Sequence, residues 1–180
     1  MNENLIGDGV GIPDGWSRLW APHRSAYLEG ENRPLPGNGV PCPFCRIPTL
    51  EDVEGLIVTR GTHAYVVMNL YPYNAGHLLI CSYRHVADLT DLTDEERNEI
   101  FELTSHSMKV LRKVSGANGF NLGMNQGSIS GAGIAEHIHQ HVVPRWSGDA
   151  NFMPVIGQTK VISQLLRDTR QLLADNWNLS

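Results

Sequence analysis

His-Ile-His-Gln-His-Val-Val, residues 137–143, is the most informative segment of this chain. Three histidines recur at two-residue spacing, and residues i, i+2 and i+4 of a β-strand project from one face, about 6–7 Å apart in succession. The apolar residues Ile138 and Val142 alternate with them, so the pattern predicts a strand with one apolar and one imidazole face. A row of imidazoles is costly to bury. We therefore expect this face to do chemistry.

Composition limits the kind of protein and the kind of partner. The chain has 180 residues, of which 41% are hydrophobic and 18% charged, which suits a single folded domain. Its net charge of −5 argues against nucleic acid as a partner, although a local cluster of donors can still bind a small phosphorylated ligand. The sequence contains no long apolar run and no lipidation signature. We expect a cytoplasmic protein that does not interact with membranes.

The order of predicted elements favours an α+β fold. Residues 1–40 are rich in Gly, Pro and Asn and form a predicted amino-terminal arm, while residues 41–180 form the folded domain. A capping box starting at Thr93 opens a helix that Gly116 ends, and apolar spacing predicts a second helix over 161–175. We expect a largely antiparallel five-stranded sheet with these two main helices. The predicted strands are 55–60, 64–68, 77–81, 120–126 and the histidine strand.

A glycine-rich loop, residues 127–133, precedes the histidines. With few Cβ atoms, its backbone N–H groups can approach and surround an anion. Its spacing matches neither a dinucleotide-binding fingerprint nor a P-loop. Taken alone it is typical of a flexible surface loop, but beside three imidazoles it predicts phosphate binding.

The middle histidine is the predicted nucleophile. A neutral imidazole attacks phosphorus without an activating base if its other nitrogen is held protonated. His139 is flanked by imidazoles on both sides, and His141 is placed to donate to a phosphate oxygen or to the leaving group. The rival interpretation is a catalytic zinc cluster like that of the metallo-β-lactamase-like hydrolases. Those enzymes carry an acidic residue before their last histidine, where this chain has Gln140.

The cysteines predict a metal site. Cys42 and Cys45 form a Cys-Pro-Phe-Cys pair, whereas Cys81 lies in an apolar run and is predicted to be a buried small hydrophobe. A thioredoxin-like redox pair is the alternative for the two close cysteines, but it would need a preceding strand and a following helix.

Residues 136–146 closely resemble the motif of the histidine triad family. Three further segments are similar to that family at matching places: Asn69 with Gly76-His77, Asn125-Gln126-Gly127 with the glycine loop, and Cys42-x-x-Cys45 with His85. The arm at 16–27 and the segments 144–152 and 165–170 resemble the actinobacterial diadenosine tetraphosphate phosphorylases of this family. The resemblance covers nearly the whole chain.

The resemblance implies a HIT-like fold and a nucleotidyl-transfer reaction on dinucleoside polyphosphates. His139 would attack an α-phosphate and form a covalent nucleotidyl-histidine. Inorganic phosphate as the acceptor would give ADP after ATP has left, and water would give AMP. The alternatives are a dinucleoside polyphosphate hydrolase, a nucleoside phosphoramidase and a non-catalytic nucleotide-binding module.

The resemblance also implies roles for individual residues. Asn69 would contact the ribose, and His77 would orient the triad. Trp146, apart from the resemblance, is a candidate either to border an adenine pocket or to pack the arm. Phosphate contacts are implied for Asn125, Gln126, Gly131 and Gly133. Relatives usually carry a polar side chain in place of Gly133, so at that position only a backbone N–H is available here.

The resemblance further implies a cofactor and an assembly. A structural zinc ion would be held by Cys42, Cys45, His85 and His137, with no organic cofactor. The expected small-molecule partners are the nucleotide substrate and inorganic phosphate. A homodimer is expected, and a tetramer is possible within this branch of the family.

Overall fold

The computed structural model describes residues 42–149 and 165–179. The predicted arm, residues 1–40, and the end of the matched segment at 150–152 lie outside the described residues. Within the described part, the predicted α+β architecture is confirmed. Its helices and strands, in chain order, are α1 (Pro43–Arg46), β1 (Ile57–Arg60), β2 (Ala64–Met68), β3 (Leu78–Ser82), α2 (Asp94–Ser115), β4 (Gly119–Gly123), β5 (His139–Arg145) and α3 (Leu166–Asp175).

The sheet formed by the described strands has the order β1-β2-β3-β5-β4, and every neighbouring pair is antiparallel. The strand that carries the histidines, β5, therefore lies between two others. Cys81 of β3 pairs with His139, and Leu79 pairs with His141. This register places the two imidazoles beside buried residues of the neighbouring strand, so their positions are fixed by the sheet.

The two faces of the sheet have different partners. One face packs against α2 and α3 and forms the larger core, whose members include Val66, Ile80 and Val142. The opposite face carries a smaller cluster, which includes Phe44, Tyr65 and Cys81. Because side chains alternate along a strand, His139 and His141 lie on the face of the smaller cluster, with no helix of the larger core above them.

Local signals set the bounds of α2. Thr93 and Glu96 form a capping box, and Gly116 ends the helix with a left-handed φ of 63°. The predicted bounds are confirmed at both ends. Glu99 of this helix accepts hydrogen bonds from the backbone N–H groups of residues 62–64 in the β1–β2 turn. None of the described helices is both long and apolar enough to cross a membrane.

Some predicted boundaries are wrong by a few residues. The last helix begins at Leu166, because Leu165 is already extended; residues 161–164 lie outside the described part. Strand β4 ends at Gly123, three residues earlier than predicted. Strand β5 begins at His139, and His137 precedes it because the Ile138 N–H donates to the Val86 carbonyl, which is not part of the sheet.

The ion pair between Glu96 and Arg84 predicts a change of stability in acid. Hydrogen bonds from Arg84 hold the pKa of Glu96 down to about 2, against the opposing effect of burial. Because its folded-state pKa is depressed, Glu96 contributes stability above its ordinary value near 4.5, and this contribution is lost as the pH falls towards 2. We expect the free energy of unfolding to fall over this interval in urea titrations. In the variant Glu96→Gln, which keeps the cap, the free energy of unfolding should fall less steeply with pH. Equal slopes in the two proteins would contradict the assignment.

Candidate active site

The hydrogen bonds of His139 leave one of its ring nitrogens with a free lone pair. Its Nδ1 lies 2.8 Å from the carbonyl oxygen of His137, to which it can only donate. The proton is therefore on Nδ1, and Nε2 keeps its lone pair. Burial lowers the pKa of His139, which keeps the ring neutral near pH 7 although the carbonyl contact opposes this effect. The ring is 6% exposed, so the lone pair sits in a site with little water.

A chain of hydrogen bonds through His77 determines which ring nitrogen of His141 carries the proton. The Tyr73 backbone N–H donates to His77 Nδ1 at 3.0 Å, and the Asn69 side-chain nitrogen lies 3.2 Å from the same atom. Since Nδ1 accepts, the His77 proton is on Nε2, which lies 2.9 Å from His141 Nδ1. His141 Nδ1 then accepts, and its own proton is on Nε2. Burial, followed by the nearby His139, lowers the pKa of His141 to about 4, so it stays neutral.

The Nε2–H of His141 is a buried donor that meets no acceptor among the described residues. Buried polar groups in native proteins are nearly always paired, so an unpaired donor needs an explanation. The His139 and His141 rings are 4.9 Å apart on one face of β5. A lone pair and a free N–H donor thus lie side by side, an arrangement suited to attack on phosphorus with donation to an oxygen of the same group.

Two aromatic rings that the sequence analysis did not assign hold these imidazoles. Phe44 packs on His139 at 4.8 Å and on His137 at 5.6 Å between ring centroids. Tyr73 stacks on His141 at 5.6 Å, with an interplanar angle of 15°. The available signal for Phe44 was its place between the two cysteines. Tyr73 lies between Asn69 and His77, which the sequence analysis did assign.

The glycine loop has the backbone of an anion-binding turn. Residues Ser128–Ser130 form a 3₁₀ turn, and the glycines on either side have positive φ values of 76° at Gly127 and 81° at Gly131. At Gly131, which is left-handed and follows the 3₁₀ turn, successive N–H groups can point to a common centre. Gln126 supports the loop because its side-chain oxygen accepts from the Leu89 N–H at 2.6 Å.

Four predicted metal ligands converge beside the nucleophile. The ligand atoms of Cys42, Cys45, His85 and His137 all lie within 4.8 Å of one another. The Nδ1 atoms of His85 and His137 are 3.3 Å apart, and three nitrogen–sulfur distances are 3.3, 3.4 and 3.5 Å. Tetrahedral zinc with ordinary bond lengths needs about 3.3 Å between two nitrogens and about 3.6 Å between nitrogen and sulfur. The donor set and the spacing both fit zinc.

His137 connects this cluster to the nucleophile. Its Nε2 donates to the Ser82 carbonyl at 2.9 Å, so its Nδ1 lone pair faces the cysteines. A metal-binding histidine usually gives its other N–H to such an acceptor. The carbonyl of the same residue holds the His139 proton. The structure therefore brings the ring of the first triad histidine to the cluster of cysteines and histidines, while its backbone carbonyl contacts His139.

Two other predicted site residues have partners within the protein, and a third lies beside the glycine loop. The Asn69 side-chain oxygen accepts from the Tyr71 N–H at 2.9 Å while its nitrogen faces His77. The Trp146 indole N–H donates to the Ser115 carbonyl at 2.8 Å, at the end of α2. Asn125 is half-buried beside the glycine loop. Their substrate contacts stay predictions.

The profile of the HIT domain family matches residues 51–148, which contain the triad and most of the sheet. The chain belongs to the HIT family. An AP-4-A phosphorylase of Mycobacterium tuberculosis is 51% identical to it over 179 residues, 98% of this chain and 92% of that protein. The asymmetrical bis(5'-nucleosyl)-tetraphosphatase of Schizosaccharomyces pombe is 34% identical over 91 residues, 51% of this chain and 48% of that HIT relative.

A solved HIT structure shares the fold. The zinc-bound histidine triad family protein from Mycobacterium smegmatis superposes with a TM-score of 0.62, covering 77% of this chain and 94% of that one, at 24% identity. At this identity the likeness shows the fold alone. The HIT-like architecture expected from the sequence is confirmed.

Proposed function

We propose that this protein transfers a nucleotidyl group from diadenosine tetraphosphate to inorganic phosphate, producing ATP and ADP. The observation that carries the proposal is the pair formed by His139 and His141, in which one ring offers a lone pair and the other an unpaired N–H donor. The 51% identity to an AP-4-A phosphorylase along almost the entire chain supports the substrate and the acceptor.

In the first step, His139 Nε2 attacks the α-phosphorus. The N–P bond forms, the P–O bond to the remaining triphosphate breaks, and ATP leaves. The Nδ1 proton of His139 stays on the ring, hydrogen-bonded to the His137 carbonyl, so the intermediate is a nucleotidyl-imidazolium. Its positive charge makes the ring a good leaving group. The His141 Nε2–H donates to the oxygen on which negative charge develops.

In the second step, an oxygen of inorganic phosphate attacks the same phosphorus from the side that ATP has left. The N–P bond breaks, ADP forms, and His139 returns to its neutral tautomer. The Gly127–Gly131 turn and the Gln126 amide would hold the phosphate oxygens during both steps. Water in place of phosphate would release AMP.

Zinc is the cofactor that we propose for the cluster of two cysteines and two histidines. Bound there, it would neutralise the crowded donors and attach the segment that carries Cys42 and Cys45 to the sheet. Its role would be structural, because all four ligands come from the protein. The cation would also counter the burial that raises the pKa of the Cys45 thiol. The chain's own groups perform the chemistry.

The test is to incubate the protein with diadenosine tetraphosphate and phosphate labelled with oxygen-18. We expect ATP and labelled ADP, with turnover that depends on phosphate. Unlabelled ADP, or AMP at the same rate without phosphate, would contradict phosphorolysis; AMP would indicate a hydrolase. Faster cleavage of adenosine phosphoramidate would favour a phosphoramidase. Tight AMP binding without turnover would favour a nucleotide-binding module.

The assembly and the location are further proposals. Strand β4 lies at the edge of the described sheet, and Leu122 on it is 48% exposed. Both observations support the pairing of two copies into a homodimer. The resemblance to this branch of the family also allows a tetramer. A cytoplasmic location stays a prediction from the sequence.

A further inference from the structure

The turn of residues 145–149 follows the triad and takes no part in the chemistry above. The Asp149 carboxylate accepts from the Arg145 guanidinium at 2.7 and 2.8 Å, from the Trp146 N–H at 3.1 Å and from the Asn74 side-chain amide at 2.8 Å. The side chain of Asp149 is 10% exposed and that of Arg145 is 43% exposed. The carboxylate is therefore directed inward, towards Asn74.

Asn74 joins this turn to the loop of residues 69–76. Its side-chain amide also donates to the Pro144 carbonyl at 3.0 Å, so one side chain attaches the loop to the end of β5 at two points. The Asn74 carbonyl accepts from the His77 N–H at 3.2 Å, which closes the loop onto the start of β3. The position of this loop thus depends on the Asp149 carboxylate.

The same loop decides where the His77 proton lies. Tyr73, the neighbour of Asn74, supplies the backbone N–H that donates to His77 Nδ1. If that N–H and the Asn69 side-chain amide move away with the loop, Nδ1 can take the proton and Nε2 becomes an acceptor. His141 must then carry its proton on Nδ1 to keep the contact between the two rings. Its Nε2 would lose the N–H that faces the site.

We propose that Asp149 is a positioning residue, which holds the 69–76 loop through Asn74 so that Tyr73 fixes the tautomer of His77 and thereby keeps the His141 Nε2–H directed at the phosphoryl group. The inference rests on the proposed role of His141 as a donor. It assigns a role in the reaction to a carboxylate that is connected to the nearest imidazole, His77, only through Asn74 and Tyr73.

The first test reads proton positions directly. In protein with nitrogen-15-labelled histidine, long-range proton–nitrogen spectra distinguish a protonated ring nitrogen from a bare one. The wild-type chain should show bare Nδ1 and protonated Nε2 on both His77 and His141. Asp149→Ala and Asn74→Ala should each give a mixture of tautomers at both rings. Asn74→Ala leaves the Arg145–Asp149 pair intact, so it serves if Asp149→Ala fails to fold.

The second test is kinetic. Each single variant should lower kcat about 10- to 100-fold, with the Kd for AMP changed less than about 3-fold, because the donor matters most as charge develops. The double variant should be no slower than the single ones, since both act through one contact. Asp94→Ala, which breaks an exposed ion pair with Arg97, should change neither readout.

Two results would overturn the inference: tautomers unchanged in both variants, or losses of kcat that multiply in the double variant. The spectra require no substrate. A wild-type chain that fails to cleave diadenosine tetraphosphate yet shows the expected tautomer shifts would therefore refute the proposed function and leave the positioning role of Asp149 supported.

Discussion

Replacing His139 by alanine is expected to lower turnover of diadenosine tetraphosphate by at least about 10⁴-fold, because the only proposed attacking nitrogen is removed. The ring is in contact with Phe44, but its loss leaves the sheet pairing of β5 intact, so far-UV circular dichroism should match the wild type. Mass spectrometry of acid-quenched wild-type reactions should find one AMP group on His139, and the variant should carry none.

His63→Ala is the matched control. His63 is half-buried in the β1–β2 turn and has no part in the proposed site. This variant should keep wild-type kcat and the covalent label. If His139→Ala retains near wild-type activity, or if the label maps to another residue, the assigned nucleophile is wrong.

Replacing Cys42 by serine is expected to remove bound zinc and lower the free energy of unfolding by about 3–5 kcal/mol, since the loss of a structural metal is among the most destabilising single changes. Activity should fall as well. Phe44, which lies between the two cysteines, packs on His139, and the His137 ring contacts Cys42, so both rings would lose their support. Elemental analysis and urea titration measure the two effects.

Cys81→Ala controls for the loss of a thiol. Cys81 is fully buried in β3 and lies outside the four-residue cluster. The variant should have a lower free energy of unfolding because buried packing is lost, and it should still bind one zinc ion per chain. Wild-type protein without stoichiometric zinc, after expression in zinc-supplemented medium, would refute the metal assignment.

Features that depend on short-range signals were predictable from the sequence. The bounds of α2 follow from the Thr93 capping box and Gly116, and the β2 bounds follow from an apolar run between turns. The convergence of Cys42, Cys45, His85 and His137 was also expected, from the resemblance to the histidine triad family, and the structure confirms it. The role of His139 as the nucleophile stays a prediction.

Features that depend on long-range contacts were not predictable. His137 lies outside the strand, and its ring meets Cys42, which is 95 residues away in the sequence. The His77 tautomer depends on the backbone N–H of Tyr73 as well as on the Asn69 side chain, and a backbone group leaves no trace in a residue pattern. Asn74 and Asp149 meet across 75 positions, and neither belongs to a motif with a known spacing.

The ring of His137 is attached at two points, to the cysteines and to the Ser82 carbonyl, and these contacts help to fix the register of β5. Strand β5 could slide by one residue against β3 and still form a full ladder, but such a slip would exchange the two sides of the strand. Gln140 would then occupy the reactive face, and the imidazole of His137 would be withdrawn from the cysteines. A metal ion held by the four-ligand cluster would resist that displacement, so it would favour the correct register of β5.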